Sequence, residues 1–105
     1  MTTYDLAVVG GTLVDGSGLP RRRADVMVKD GKIAAIGFSE SGAAERTVDA
    51  TGLCVAPGIV DPHTHYDPQL TFEPYATSSC FHGVTTVLAG NCGFSVAPTK
   101  EADKP

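Results

Sequence analysis

In the first half of the chain, apolar positions come in short runs cut by glycine, aspartate and proline. Thr3 to Val9 reads as a short buried strand, and Thr12 to Val14 as a second apolar run after Gly10-Gly11. Asp15-Gly16-Ser17-Gly18 is turn chemistry. Within Asp25 to Gly37, ADVMVK and KIAAIG are two β-rich runs joined by Asp30-Gly31. That pair predicts a hairpin, because a type I′ turn needs positive φ at both central residues. Ser39 to Arg46 is polar and Gly/Ala-rich, a connecting loop. Thr47 to Ala50 and Leu53 to Ala56 are two more short strands around a Thr51-Gly52 turn, and Cys54 inside the second reads as a small core residue. Short strands at regular spacing predict part of a β-sandwich or a small barrel-like sheet. VVGGTLVDGSG fits neither GxGxxG nor GxxxxGK[ST], and no periodic helix follows it, which sets a nucleotide-binding loop aside.

After Pro57-Gly58 the pattern changes. Ile59-Val60 is a short apolar strand without alternation, and it leads into DPHTH. Asp67-Pro68 onward reads as loop. Phe72 to Phe81 is predicted as a helix, with Pro74 tolerated in its first turn and Gly83 as its stop. Tyr75, Ala76, Ser79 and Cys80 form a small-residue face on that helix, suited to packing on a sheet. Val84 to Ala89, VTTVLA, is a β-branched-rich run of the kind buried on both faces in parallel sheets. Strand, crossover helix and strand predict a parallel β-α-β unit. One such unit cannot cover both its faces and leaves open edges, so the sequence reads as the beginning of a larger α/β protein.

Composition narrows the class. Hydrophobic content of 42% with 19% charged residues describes a globular chain rather than a disordered one. Eight Lys and Arg against twelve Asp and Glu give a net charge of −4, which argues against a nucleic-acid partner. Arg21-Arg22-Arg23 therefore reads as a solvated loop. No apolar run approaches the ~18 residues of a membrane span, and MTTYDLAVV has no basic n-region of a signal peptide. Three cysteines, odd in number and without CxxC spacing, predict a reducing cytoplasm rather than a disulfide framework.

The candidate chemistry lies after the second-half strands. His63 and His65 are two apart, so on an extended backbone both leave one face, with Asp61 two positions earlier on the same face. Two imidazoles converging beyond a strand end make the start of a transition-metal site. Cys92 follows the second strand as His65 follows the first. If the strands are neighbours, their carboxyl ends lie about 5 Å apart, and parallel α/β folds place active sites at that end. Asp61 reads either as an acceptor for a histidine's other ring nitrogen or as a structural partner, since ligating histidines usually give their other nitrogen an acceptor. Tyr66 and Asp67, on the loop at the same end, are candidates to line a substrate pocket. Blander readings stay open here: two polar residues capping a strand for the histidines, and a small packed residue in a Gly-flanked loop for Cys92. His82 reads as a helix-end cap, Cys80 as helix–sheet packing, and Asn91 as shaping the turn that holds Cys92.

At PGIVDPHTH the chain resembles the amidohydrolase superfamily, whose members carry a PGxxDxHxH signature on the first barrel strand. HGVTTVLAGNCGFSVAP is similar to the N-acyl-D-amino-acid deacylase (D-aminoacylase) family, in which a GVTTxxxGNCGxSxAP-like segment follows the HxH strand. The offset of 27 positions from His65 to Cys92 also fits that family. The resemblance covers essentially the whole chain and implies an incomplete α/β fold. Residues 1–57 would be a portion of a composite β-sandwich domain, and residues 58–105 the first β-α-β of a (β/α)8 barrel. It implies His63 and His65 as ligands to one metal of a binuclear centre. Cys92 would be the thiolate that replaces the carbamylated lysine of many relatives and helps hold one tightly bound Zn2+, a second site being weak. The remaining histidine ligands and the catalytic aspartate would lie beyond Pro105, so no catalytic residue is expected within the chain. The implied reaction is hydrolysis of small N-acyl-D-amino acids by the full-length protein, the fragment alone being inactive. Two alternatives remain: a dihydropyrimidinase-like cyclic-amide hydrolase, with Cys92 far from the metal, and a truncated product without turnover.

Overall fold

The computed structural model describes residues 3–96 and 100–103 of the chain. The start of MTTYDL, the Ala97-Pro98-Thr99 end of the cysteine-containing run and the final Lys104-Pro105 lie outside the described residues. Contacts divide the chain into two compact units, one ending at Pro57 and the other beginning at Gly58.

In the first unit the strands are, in chain order, Tyr4–Val9 (β1), Thr12–Leu13 (β2), Arg22–Arg23 (β3), Asp25–Lys29 (β4), Lys32–Gly37 (β5), Ala44–Asp49 (β6) and Cys54–Val55 (β7). They form a four-stranded sheet ordered β5-β4-β1-β6 and a three-stranded sheet ordered β3-β2-β7. β1 runs antiparallel to β4 and parallel to β6. The β4–β5 hairpin turns at Asp30 (φ 52°) and Gly31 (φ 71°), the two positive values that a type I′ turn demands. Leu13, Ala24 and Val26 are buried together, with Val8 and Val55 packed against them, so both sheets contribute to one core. Asp25 is buried at the start of β4 and ties two loops to it. One carboxylate oxygen accepts the Gly10 N–H at 2.9 Å; the other accepts the N–H and hydroxyl of Ser39, each at 2.8 Å. These donors, the Ser39 N–H foremost and then that of Gly10, hold the Asp25 carboxyl below its ordinary pKa.

Three expectations for this unit change. Arg22 and Arg23 are not loop: they pair with Leu13 and Thr12 while staying exposed, and Arg22 donates to Asp15 at 2.8 Å. The loop after Ser39 is shorter than its polarity predicts, because the free edge of β1 takes up Ala44 to Asp49 as a parallel partner. Cys54 is exposed rather than buried. Neighbours in a strand face opposite ways, and Val55 takes the inward position against the core.

The second unit holds Ile59–Thr64 (β8), Tyr66–Gln69 (α1) and Val84–Ala89 (β9), with 3-10 turns at Ser79–His82 and Glu101–Asp103. β8 and β9 pair in parallel, as the crossover pattern predicts. Gly58 leads into β8 at a close approach: a Cβ there would fall 2.7 Å from the Cβ of Thr85. The crossover differs from the expected helix over Phe72 to Phe81. Helical turns lie to either side of Pro74 instead, one of them in the predicted loop after Asp67. Ala76 (φ 50°) and Ser78 (φ 65°) have positive φ, which no continuous right-handed helix allows. Local side chains hold that path. The Glu73 carboxylate accepts the N–H groups of Tyr75 and Thr77, and the buried Tyr66 donates its hydroxyl to the Thr77 carbonyl at 3.1 Å. Gly83, left-handed at φ 82°, ends the second turn. Val87 and Leu88 of β9 are exposed, against the expected burial on both faces, because one neighbouring strand does not cover a sheet.

Candidate metal centre

The site begins with an irregularity in β8. Asp61 lies opposite Val87 and Thr64 opposite Ala89, so three steps on β8 match two on β9. That is a bulge, and it contains Pro62, which has no N–H to give to a ladder. Asp61 accepts the backbone N–H of His63 at 3.0 Å. Its carboxylate therefore shapes the bulge, the structural one of the two roles expected of it, and is not on a ring nitrogen. Thr64 is buried and donates its hydroxyl to the Leu88 carbonyl at 2.9 Å. His63 and His65, on either side of it, are exposed, as alternation along a strand requires. Their ring centroids are 6.2 Å apart.

β9 ends at Ala89, and Gly90-Asn91 carries the chain back toward β8. The Asn91 side-chain amide donates to the Pro62 carbonyl at 2.9 Å. Cys92 follows it. Ring nitrogens of His63 and His65 and the Cys92 sulfur lie within 4.8 Å of one another, the one such group of potential ligands among the described residues. Zinc binds imidazole nitrogen at about 2.0–2.1 Å and thiolate at about 2.3 Å, which spaces tetrahedral donors by about 3.3–3.8 Å. Side-chain movements on the order of 1 Å bring these donors onto one ion, and two nitrogens with one sulfur are a donor set that suits zinc.

The other predicted residues have different surroundings. Tyr66 is buried with its hydroxyl on loop carbonyls. Asp67 accepts the Ser95 hydroxyl at 2.8 Å and the Val96 N–H at 2.6 Å. His82 and Cys80 lie on the 3-10 turn, outside the donor group. Thr64 was not singled out by the sequence pattern, yet it bridges the two strands; the signal was its place between two histidines that share the opposite face.

A sequence profile of the amidohydrolase family matches residues 46–105, more than half of the chain. The chain belongs to the amidohydrolase family. Among members of that family, the D-aminoacylase of Alcaligenes xylosoxydans xylosoxydans is 50% identical over 102 residues, covering 97% of this chain and 21% of that protein. The crystal structure of N-acyl-D-glutamate deacylase from Bordetella bronchiseptica, complexed with zinc and a phosphonate inhibitor, superimposes with a TM-score of 0.86. It is 43% identical, over 98% of this chain and 22% of that one. The L-hydantoinase (dihydropyrimidinase) of Arthrobacter aurescens matches less of the amidohydrolase chain: TM-score 0.65 and 40% identity over 80% of it and 20% of that structure. This amidohydrolase chain spans about a fifth of the length of these relatives, and its strands have the fold of their amino-terminal region.

Proposed function

We propose that this chain supplies the opening part of a zinc-dependent amidohydrolase that hydrolyses the amide bond of N-acyl-D-amino acids. The observation that carries the reading is the meeting of His63, His65 and Cys92 within 4.8 Å, at the carboxyl ends of two parallel strands. The D-aminoacylase and N-acyl-D-glutamate deacylase among its relatives support the substrate class. In this reading His63 and His65 hold the ion through ring nitrogens and Cys92 holds it as thiolate, the form that metal coordination enforces. A bound zinc supplies Lewis-acid chemistry, lowering the pKa of water to about 7 and polarising a scissile carbonyl. The three residues make one tight site, and a binuclear arrangement adds a weaker second one. Proton transfer to the leaving amine falls to an aspartate on a later strand. β8 and β9 are the first strands of a (β/α)8 barrel, residues 1–57 belong to a β-sandwich, and the enzyme works in the cytoplasm on a small-molecule substrate. The dihydropyrimidinase-like alternative needs Cys92 far from the histidines, and the 4.8 Å grouping counts against it.

The test is an assay of the whole protein carrying this sequence, against paired D and L N-acetyl amino acids, with and without chelator. Release of D-amino acids that chelator abolishes and zinc restores is expected. Activity confined to cyclic amides, or indifferent to chelator, overturns the reading.

A further inference from the structure

Among the described residues, the side chains of Thr64, Asn91 and Asp67, none of them a candidate ligand, join the two chain segments that bear the ligands by hydrogen bonds. Thr64 reaches from the histidine strand to Leu88, Asn91 reaches back to Pro62, and Asp67 holds Ser95 and Val96. Two of these contacts bracket Cys92. Asn91 immediately precedes it and is anchored to the residue immediately before His63; Ser95 and Val96 follow it and are anchored two residues beyond His65. The cysteine turn contains Gly90 (φ 86°) and Gly93 (φ 80°), residues that add no side-chain packing to fix its path. Its position relative to the imidazoles therefore depends on contacts beyond the glycines: these hydrogen bonds, and the Phe94 ring, whose centroid lies 6.1 Å from that of His65.

We propose that Asn91 and Asp67 are positioning residues: together they set the Cys92 sulfur at ligand distance from His63 and His65. The inference rests on the metal-site reading above. The bulge in β8 explains why the Asn91 anchor is available, since Pro62 lies within the irregular part of the ladder and its carbonyl takes the amide. Asp67 acts by shape. One of its oxygens accepts two donors from consecutive residues, Ser95 and Val96, and so fixes both the direction and the height of the segment leaving the turn. Groups that orient ligands in this way are typically worth about 10–100-fold in metal affinity.

Cobalt(II) reports on the arrangement directly, because a coordinated thiolate gives sulfur-to-cobalt charge-transfer absorption that imidazole ligands do not. The whole protein carrying this sequence, stripped of metal, is titrated with cobalt(II) in competition with a chelator, for the original sequence and for Asn91→Ala, Asp67→Ala, Asp67→Asn and Ser95→Ala. Asn91→Ala and Asp67→Ala are expected to weaken cobalt binding about 10–100-fold and to reduce the sulfur band. Asp67→Asn keeps an acceptor oxygen and should lie close to the original; Ser95→Ala, which removes one of two donors, should fall between. Full affinity with an unchanged band in both alanine variants overturns the inference. So does an equal loss in Asp67→Asn and Asp67→Ala, which assigns the effect to charge rather than placement. Should an alanine variant fail to fold, as judged by circular dichroism, the ordering of Asp67→Asn and Ser95→Ala decides. Cobalt bound by the original protein without a sulfur band instead refutes the metal-site reading, and the inference falls with it.

Discussion

Cys92 is the one residue of the proposed site that must lose a proton to bind metal. Serine in its place keeps the size and loses the thiolate. Cys92→Ser in the whole protein is expected to release tightly held zinc and to remove most of kcat, with zinc measured by elemental analysis after dialysis; unchanged zinc content counts against the ligand assignment. Asp25 makes a different kind of prediction. Its carboxyl titrates below its ordinary value because Ser39 and Gly10 donate to the charged form. The stability it contributes is therefore complete above the unfolded-state pKa of about 3.9 and is lost as pH falls through the lower folded value. Asp25→Ala leaves the Gly10 and Ser39 donors without this acceptor and should cost on the order of 2–3 kcal/mol at neutral pH. Urea midpoints at pH 7 and pH 3 check both statements, and the acid-induced loss should shrink in the variant. That His63, His65 and Cys92 come together was legible from the two-residue spacing of the histidines and the parallel crossover that brings Cys92 to the same end. The contacts of Asn91 and Asp67 were not legible, because each joins positions that are 28 or 29 apart in the chain.

Among the elements, the parallel pair β8–β9 and the β4–β5 hairpin follow from local pattern: β-branched residues in one case, an Asp-Gly turn in the other. The crossover did not follow. Phe72 to Phe81 has helical spacing of small residues, yet Pro74 and the carboxylate of Glu73 favour a turn, and Tyr66 secures it from outside the window. Helical propensity is a weak prior when a tertiary hydrogen bond is on offer. The start of β8 carries a stricter constraint. Gly58 faces Thr85 so closely that Gly58→Ala must displace the threonine or the strand. The variant is expected to lose about 1–3 kcal/mol, read as a lowered urea midpoint; Gly58→Ala with Thr85→Ser should recover part of the loss only if the threonine methyl is the obstacle.

For the molecule as a whole, the second unit exposes much that is apolar: Ile59, Val60, Phe81, Leu88 and Phe94 are all more than half open to solvent. Exposed apolar surface of this extent favours association. The 105-residue chain on its own is expected to elute as concentration-dependent oligomers in size-exclusion chromatography with light scattering, and to show no amide hydrolysis. A stable monomer across the concentration range would contradict this. The sequence-level division into a strand-rich first half and a parallel unit after Pro57 came from a change in pattern, while burial within each half depended on partners that no local pattern records. The distance along the chain between the imidazoles and the sulfur has one further consequence. An ion bound by all three would close a loop of more than twenty residues, much as a covalent cross-link does, and would narrow the freedom of the unfolded chain only if it stayed attached there. Because the proposed ligands are assembled by folding, zinc held at that site would instead favour the folded form by mass action. In the proposed enzyme, scarcity of the metal would then cause unfolding as well as inactivity.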